Sequence, residues 1–421
     1  MKILIFEDEK YEDLYPLTYT RPVFELRCGY FSLRERIVKV LSPEKVYCFT
    51  REYLCPLFKR KTGISFNNWE ECLEDIANPE ESLLLINGRW LMKKAEAPSG
   101  EEEEIGVCEG NIVYARLKKR TLQSLSNREP VGILREIRGK VREKEIKATL
   151  INYLWDLVYE NGEIMREDFN LAGNKGIKGE FSSLSTVYGD KEAVYVAPTA
   201  QVHPMVVLDT SGGPIYIDEE AIIFPHSRLE GPCYIGKGTH IVGAKVREGT
   251  SLGPVCRVGD EIEETIIHGY TNKFHNGFLG HAYVGEWVNL GAATNNSDLK
   301  NTYGVVKVYV KGELMNTGKL KVGCFIGDHS KLGIGTLINT GSVIGVSVNY
   351  FGGGVTPKFI PSFAWGTKEG FVVNQLDKVL KQAGVVMERR DVEITEEDKE
   401  VLRKVFELTK EEREKFQIKE G

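Results

Sequence analysis

A period of six residues runs through the second half of the chain and limits the folds open to it more than any other feature. Aliphatic residues fall six apart at Val196, Val202 and Leu208. After a slip they resume at Ile217, Ile223, Leu229, Ile235 and Ile241, then at Val246, Leu252 and Val258. Another register holds Ile266, Phe278, Val284 and Leu290, and a last one holds Ile326, Leu332, Ile338 and Ile344. A small residue often comes next, as at Gly236, Gly253, Gly285, Gly291 and Gly327. An amphipathic helix repeats about every 3.6 residues and a strand every two, so neither produces this pattern. Flat six-residue sides, each pointing one aliphatic inward and turning at a small residue, make a triangular coil of about 18 residues. Such coils stack at strand spacing. A left-handed parallel β-helix is therefore expected from about Val196 to Val348.

Two stretches break the repeat. In residues 259–283, counting back in sixes from Val284 places Phe278 and polar Asn272 on the inward track, and His275 at an outward corner. In residues 295–322 the small corners vanish and Val306-Lys307-Val308-Tyr309-Val310 alternates before Lys311-Gly312 and Gly318, which predicts a hairpin. An interruption cannot improve a stacked core, so these stretches are where a site is expected.

The remaining chain divides around the repeat. Residues 1–165 mix strand-like runs (Met1 to Phe6, Leu83 to Ile86) with a helical spacing at Leu33, Ile37, Val38 and Leu41. This is the pattern of an α/β, Rossmann-like sheet domain. Residues 123–147 read as charged and helix-compatible. A polar, glycine-rich linker is expected over 166–192, the β-helix over 193–365, and a helical extension over 366–421. In that extension Leu376, Val379, Leu380, Val385 and Val386 fit one amphipathic helix, and Thr395-Glu396-Glu397 reads as the N-cap of another. At 421 residues two domains are the natural prior.

Composition excludes more than it assigns. A net charge of −6 gives no reason to expect nucleic acid or an anionic membrane as a partner. No apolar run approaches the roughly 20 residues of a membrane helix, and the opening residues read as a strand rather than a leader, so a cytoplasmic location is expected. Eight scattered cysteines form no close pair and are expected to be reduced and packed as small hydrophobes.

A hexapeptide coil most often carries CoA-dependent acyl transfer, which needs a base for the amine proton and donors for the thioester oxyanion. Among seven histidines, His268, His275 and His281 lie inside the first interruption. His275 is the candidate base. The same three histidines also motivate a competing zinc hydratase, because catalytic zinc takes three imidazoles and an open position.

The run from Asn272 to Thr294, with Lys273, His275, Gly285, Asn289, Gly291 and Ala292 at its key places, resembles the acetyltransferase segment of the bifunctional GlmU family. The resemblance extends to Asn296-Ser297-Asp298 and to Lys307. At the N-terminus, the run Pro16 to Arg27 and Ile86-Asn87-Gly88-Arg89 resemble the alternative sugar nucleotidyltransferase domain of that family's divergent branch. It implies acetyl transfer from acetyl-CoA to glucosamine-1-phosphate, then formation of UDP-N-acetylglucosamine from UTP, in a homotrimer. It assigns His275 as general base and Asn289 as a substrate contact. Lys307 would meet phosphate, and the Ala292 backbone would meet acetyl-CoA. The family's phosphate-binding arginine and lysine are unmatched, with Arg257 and Lys273 as substitutes, and Phe278 stands for a tyrosine. In the first domain Arg21, Arg27 and Arg89 would supply charge for phosphate and Asp8 would hold Mg²⁺. That domain departs from the pattern too, since Val23 replaces a lysine and Arg89 a metal-binding aspartate. These losses motivate a further reading, a regulatory or non-catalytic binder of sugar nucleotides.

Overall fold

Lys2–Phe6 is apolar on both faces, as a strand covered on both sides must be, and it forms the interior strand β1 of the first unit. The computed structural model describes residues 1–418. The first unit comprises Met1–Glu12, Arg21–Leu26 and Phe31–Asn152. Around β1 stand β2 (Lys45–Phe49), β3 (Ser65–Phe66), β4 (Ser82–Asn87), β5 (Glu104–Cys108), β6 (Asn111–Lys118) and β7 (Glu143–Glu145), in the order β3-β2-β1-β4-β6-β5-β7. β1 runs parallel to β2 and β4, and β6 is antiparallel to β4 and β5. Leu4, Phe6, Phe49, Trp69, Leu85 and Leu117 fill the core on one side. Helix α1 (Leu33–Leu41) starts at Ser32, whose hydroxyl and the Glu35 carboxylate complete a capping box. The charged 123–147 stretch is not one helix. Pro130 opens a short helix, Pro130–Ile137, and Gly139 at φ 78° follows its end.

The second unit comprises Asp13–Thr20, Arg27–Tyr30 and the chain from Tyr153 onward. The division therefore falls at 152 rather than 165, and residues 166–192 are not a linker. Helix α2 (Leu154–Ala172) runs through the expected boundary and ends at left-handed Gly173. Its polar residues are consumed inside the unit: Asn161 accepts from the Gly29 N–H at 2.7 Å and donates to the Gly249 carbonyl at 2.8 Å. Coil strands already begin at Gly176–Ile177 and Thr186–Tyr188, each parallel to its successor one turn on.

The β-helix follows the six-residue track. Val202, Ile223, Ile241, Val258, Leu290 and Leu332 are all buried on one side of the triangle, and the strands that carry them are parallel. The register inside the first interruption differs by one residue from the count. Val258 pairs with Lys273, Ile262 with Leu279, and Leu252 with Ile267. The inward residues are thus Ile267, Lys273 and Leu279, not Ile266, Asn272 and Phe278. The side between Leu279 and Val284 is one residue short, and counting back in sixes across it misplaces everything before. The second interruption is a hairpin, with Lys307–Val310 antiparallel to Glu313–Asn316. Its turn places Lys311 and Gly312 at φ 47° and 92°, as a two-residue hairpin loop requires. Helices α3 (Leu376–Glu388), α4 (Glu396–Leu408) and α5 (Lys410–Lys415) follow the coils. Thr395 caps α4 through Asp398, as the sequence predicts. The last three residues of the expected extension lie outside the described part.

Candidate functional site

Two successive coils bring most of the sequence-predicted acyl-transfer residues together. Asn272 pairs with Asn289, and carrying that offset three residues on sets His275 beside Ala292 at the corner. The Ala293 N–H donates to the Asn276 carbonyl at 2.9 Å and locks one corner on the other. His275 is exposed, with its ring edge-on to Phe274 at 5.2 Å. Lys273 is not a substrate contact. It occupies the inward slot, 2% exposed, and its Nζ donates to the carbonyls of Gly259 at 2.8 Å and His275 at 3.3 Å. Burial lowers this amine to about 8. The lysine braces the corner that carries the histidine.

One outward face forms a polar ladder. His240, Arg257, Asn272, Asn289 and Lys331 are neighbours across successive parallel strands. The Asn272 amide donates to Asn289 Oδ1 at 3.4 Å, and Arg390, just beyond α3, donates to Asn272 Oδ1 at 2.7 Å. Asn272, Asn289, Lys331, Trp287, Arg389 and Arg390 line a pocket of about 270 Å³. Lys331 donates to the Trp287 carbonyl, and burial lowers it to about 7 against the pull of Asp328. Arg257 donates to the Gly238 and Cys256 carbonyls, each at 2.9 Å. Lys307 is exposed on the hairpin, where its carbonyl accepts from Lys358 at 2.7 Å. Lys319 lies over the Tyr159 ring at 4.3 Å, and Lys321 is 3.6 Å from Glu263.

Lys331, Arg389 and Arg390 escape a reading of the sequence. The hairpin inserts between Asn289 and Lys331 and hides that they share a register. The Arg389-Arg390 pair at the end of an amphipathic helix was the remaining signal.

The three histidines of the first interruption do not converge. His268 Nδ1 is 3.0 Å from the Tyr283 hydroxyl, His281 Nδ1 is 2.9 Å from Asp298, and His275 stands at its own corner. Among the described residues no group of histidine, cysteine and carboxylate side chains could hold a metal. Within one chain the three histidines do not form the zinc arrangement.

In the first unit, the acids after β1 each take an arginine. Glu7 pairs with Arg51 at 3.1 Å and Glu9 with Arg135. Asp8 receives Arg89 through two bonds, Nε to Oδ1 at 2.8 Å and Nη2 to Oδ2 at 2.6 Å. Asn87 adds a third at 2.8 Å. Burial pushes the Asp8 carboxyl up, but the Arg89 guanidinium outweighs it and holds the group below the usual range. Mg²⁺ does not fit here, because both oxygens that would ligate it are engaged. Arg89 is fully buried and also bonds the Ile151 carbonyl and Asn152, so it is not offered to a phosphate. Arg21 is buried as well, its carbonyl accepting from Arg51 at 2.9 Å. Arg27 belongs to the second unit, where its N–H donates to Tyr283 at 2.9 Å and its guanidinium lies 5.8 Å from the Tyr234 ring. Arg21 and Arg89 are thus taken up inside the first unit and Arg27 inside the second.

Residues 3–175 match the sugar nucleotidyl transferase family. A bifunctional sugar-1-phosphate nucleotidylyltransferase/acetyltransferase of Sulfurisphaera tokodaii is 35% identical over 95 residues, covering 23% of this chain and 24% of that one. The bifunctional protein GlmU of Thermotoga petrophila is 26% identical over 218 residues, covering 47% and 43%. That of Anaplasma marginale is 31% identical over 159 residues, covering 35% and 33%. The chain thus spans less than half the length of each of these relatives. No helix of the described residues is long and apolar enough to cross a membrane. A likeness to the sugar nucleotidyl transferase family over residues 3–175 thus stands ahead of a hexapeptide β-helix, and the chain is similar over parts of its length to bifunctional proteins of the GlmU type.

Proposed function

We propose that the β-helix transfers an acetyl group from acetyl-CoA to the amine of glucosamine-1-phosphate. His275 takes the proton from the attacking amine, the thioester carbonyl carbon gains the new C–N bond, and CoA leaves as its thiol. The Ala292 main chain lies along the thioester arm and Asn289 orients the sugar. The observation that carries this reading is the stacked corner, where an exposed histidine stands one coil from Ala292 with Lys273 bracing it from within. The subunits trimerise to complete the CoA cleft, in the cytoplasm. Release of free thiol from acetyl-CoA in the presence of glucosamine-1-phosphate tests the reading. His275→Ala is expected to lower it about a hundredfold, the scale of general-base catalysis. A parent protein that releases no thiol would end it.

For the first domain the same proposal includes uridylyl transfer from UTP to the acetylated product, with release of pyrophosphate. A second reading has its own observation: Asp8 and Arg89, the would-be metal ligand and phosphate cation, hold each other. On that reading the domain binds a sugar nucleotide without turning it over. UTP-dependent pyrophosphate release decides between them.

A further inference from the structure

Among the described residues the cations on the ladder face form no salt bridge, though the Asp328 carboxylate pulls on Lys331. Arg257, Lys331, Arg389 and Arg390 lie on or over the Asn272–Asn289 rungs, and none has an ion-pair partner among the described residues. Acids are not scarce in a chain of net charge −6, and other exposed cations find them: Arg228 meets Asp209 and Glu230, and Arg247 meets Glu263. Arg390 is also incompletely used. Nη2 bonds Asn272, whereas Nε is buried without an acceptor. A buried donor left unmade is a standing cost that a bound acceptor removes. Gln382, Val386, Arg389 and Arg390 fall at i, i+4, i+7 and i+8, so one stripe of α3 and its end faces the pocket. Below them the Tyr270 and Trp287 rings stack at 4.3 Å and form an apolar floor.

We infer that this pocket binds a phosphate monoester carried on a small ring, with Arg390 and Lys331 as the charged contacts and the Tyr270–Trp287 stack as the floor. The identity of the ring rests on the acetyl-transfer reading, which makes it the phosphosugar acceptor. A guanidinium fork and an ammonium suit the phosphate oxygens, and the Asn272 and Asn289 amides suit sugar hydroxyls. At about 270 Å³ the pocket admits a hexosamine phosphate but not a whole CoA. The phosphates of CoA are the other source of the same chemistry.

Calorimetric titration of the full chain with glucosamine-1-phosphate, and separately with CoA, tests this. Arg390→Gln and Lys331→Met are each expected to weaken the phosphosugar about tenfold or more, the scale of one charge-assisted hydrogen bond. CoA affinity should hold, and glucosamine without its phosphate should bind the parent no better than the phosphosugar binds the variants. Weakened CoA with unchanged phosphosugar would overturn the acceptor assignment. Unchanged affinity for both, or no binding to the parent, would overturn the site. Arg389→Gln, at an exposed position, serves if either other variant melts early. Loss that depends on Arg390 in a protein that releases no thiol would leave the phosphate site standing and remove the acetyl-transfer reading alone.

Discussion

Arg89 clasps Asp8 with two parallel hydrogen bonds, at 2.8 and 2.6 Å, and no part of the arginine side chain reaches solvent. A guanidinium thus stands where a divalent cation would need to meet the same carboxylate. Breaking one half of such a pair leaves a charge poorly solvated, so Arg89→Ala is expected to destabilise the first unit by about 3 kcal/mol. Asp8→Ala combined with Arg89→Ala should cost less than the sum, as urea denaturation of the four proteins would measure. Arg89→Asp should lower the melting temperature in chelator and recover with millimolar Mg²⁺, while the parent responds to neither. A parent protein that Mg²⁺ stabilises would contradict the clasp.

The Asp8 pair also sets an acid limit. Its carboxyl ionises below the ordinary value in the fold, so the contribution is present above about pH 4 and is lost as pH falls through the folded value. The acid unfolding transition of the first unit should move to higher pH in Asp8→Asn. Circular dichroism followed from pH 6 downward checks this.

Lys273 predicts a slope of the same sign at the other end of the scale. Its amine titrates near 8 in the fold and near 10.4 when unfolded, so the unfolded state binds more protons between those values. Stability of the second unit should therefore rise with pH from about 8 to about 10, and Lys273→Met should abolish that slope. The variant removes the brace on the His275 carbonyl, so its thiol-release rate should fall through kcat with little change in KM. Unchanged kcat would show that the corner holds without the lysine.

How far the sequence disclosed this molecule depends on what kind of constraint was in play. The β-helix was legible because a six-residue period has one structural solution, and Ser32 and Thr395 marked helix starts by local chemistry. The register at Lys273 was not legible, because one short side of the triangle shifts the inward track without altering composition. Arg89 and Asp8 lie far apart in sequence, and only the β1–β4 pairing brings their loops together. Residues 166–192 look like a linker because polar residues such as Asp168 look solvated until a partner backbone is found for them. At the candidate site, His275 stands out by its place in the interruption and Asn289 and Ala292 only through the family resemblance, whereas Lys331 is masked by the hairpin and Arg390 by its distance along the chain.

His240 reports on the ladder face without touching the pocket. Burial, then Arg257 and Arg390, lower its imidazole to about 4, against about 6.5 when unfolded. The neutral ring is what the fold accommodates, so stability should fall as pH drops from about 6.5 to about 4. Arg390→Gln should raise the His240 value, read from the ring proton shifts in an NMR titration. A value that stays put would place Arg390 too far away to matter.

Lys331 makes ligand binding itself sensitive to protons. Its amine titrates near 7 because burial outweighs the pull of Asp328, and Arg390, the Arg389 side chain and neutral His240 offer the pocket no further negative charge. A phosphate monoester placed beside it favours the ammonium form and shifts the titration upward. Binding between about pH 7 and 8.5 should therefore take up protons, about half of one per site near the free value. Calorimetry of glucosamine-1-phosphate binding in buffers of different ionisation enthalpy measures that uptake directly. It should vanish in Lys331→Met but persist in Asp8→Asn, whose altered carboxylate lies in the other unit and titrates well below this range. Equal uptake in the parent and Lys331→Met would assign the proton to the phosphate and leave the lysine a spectator.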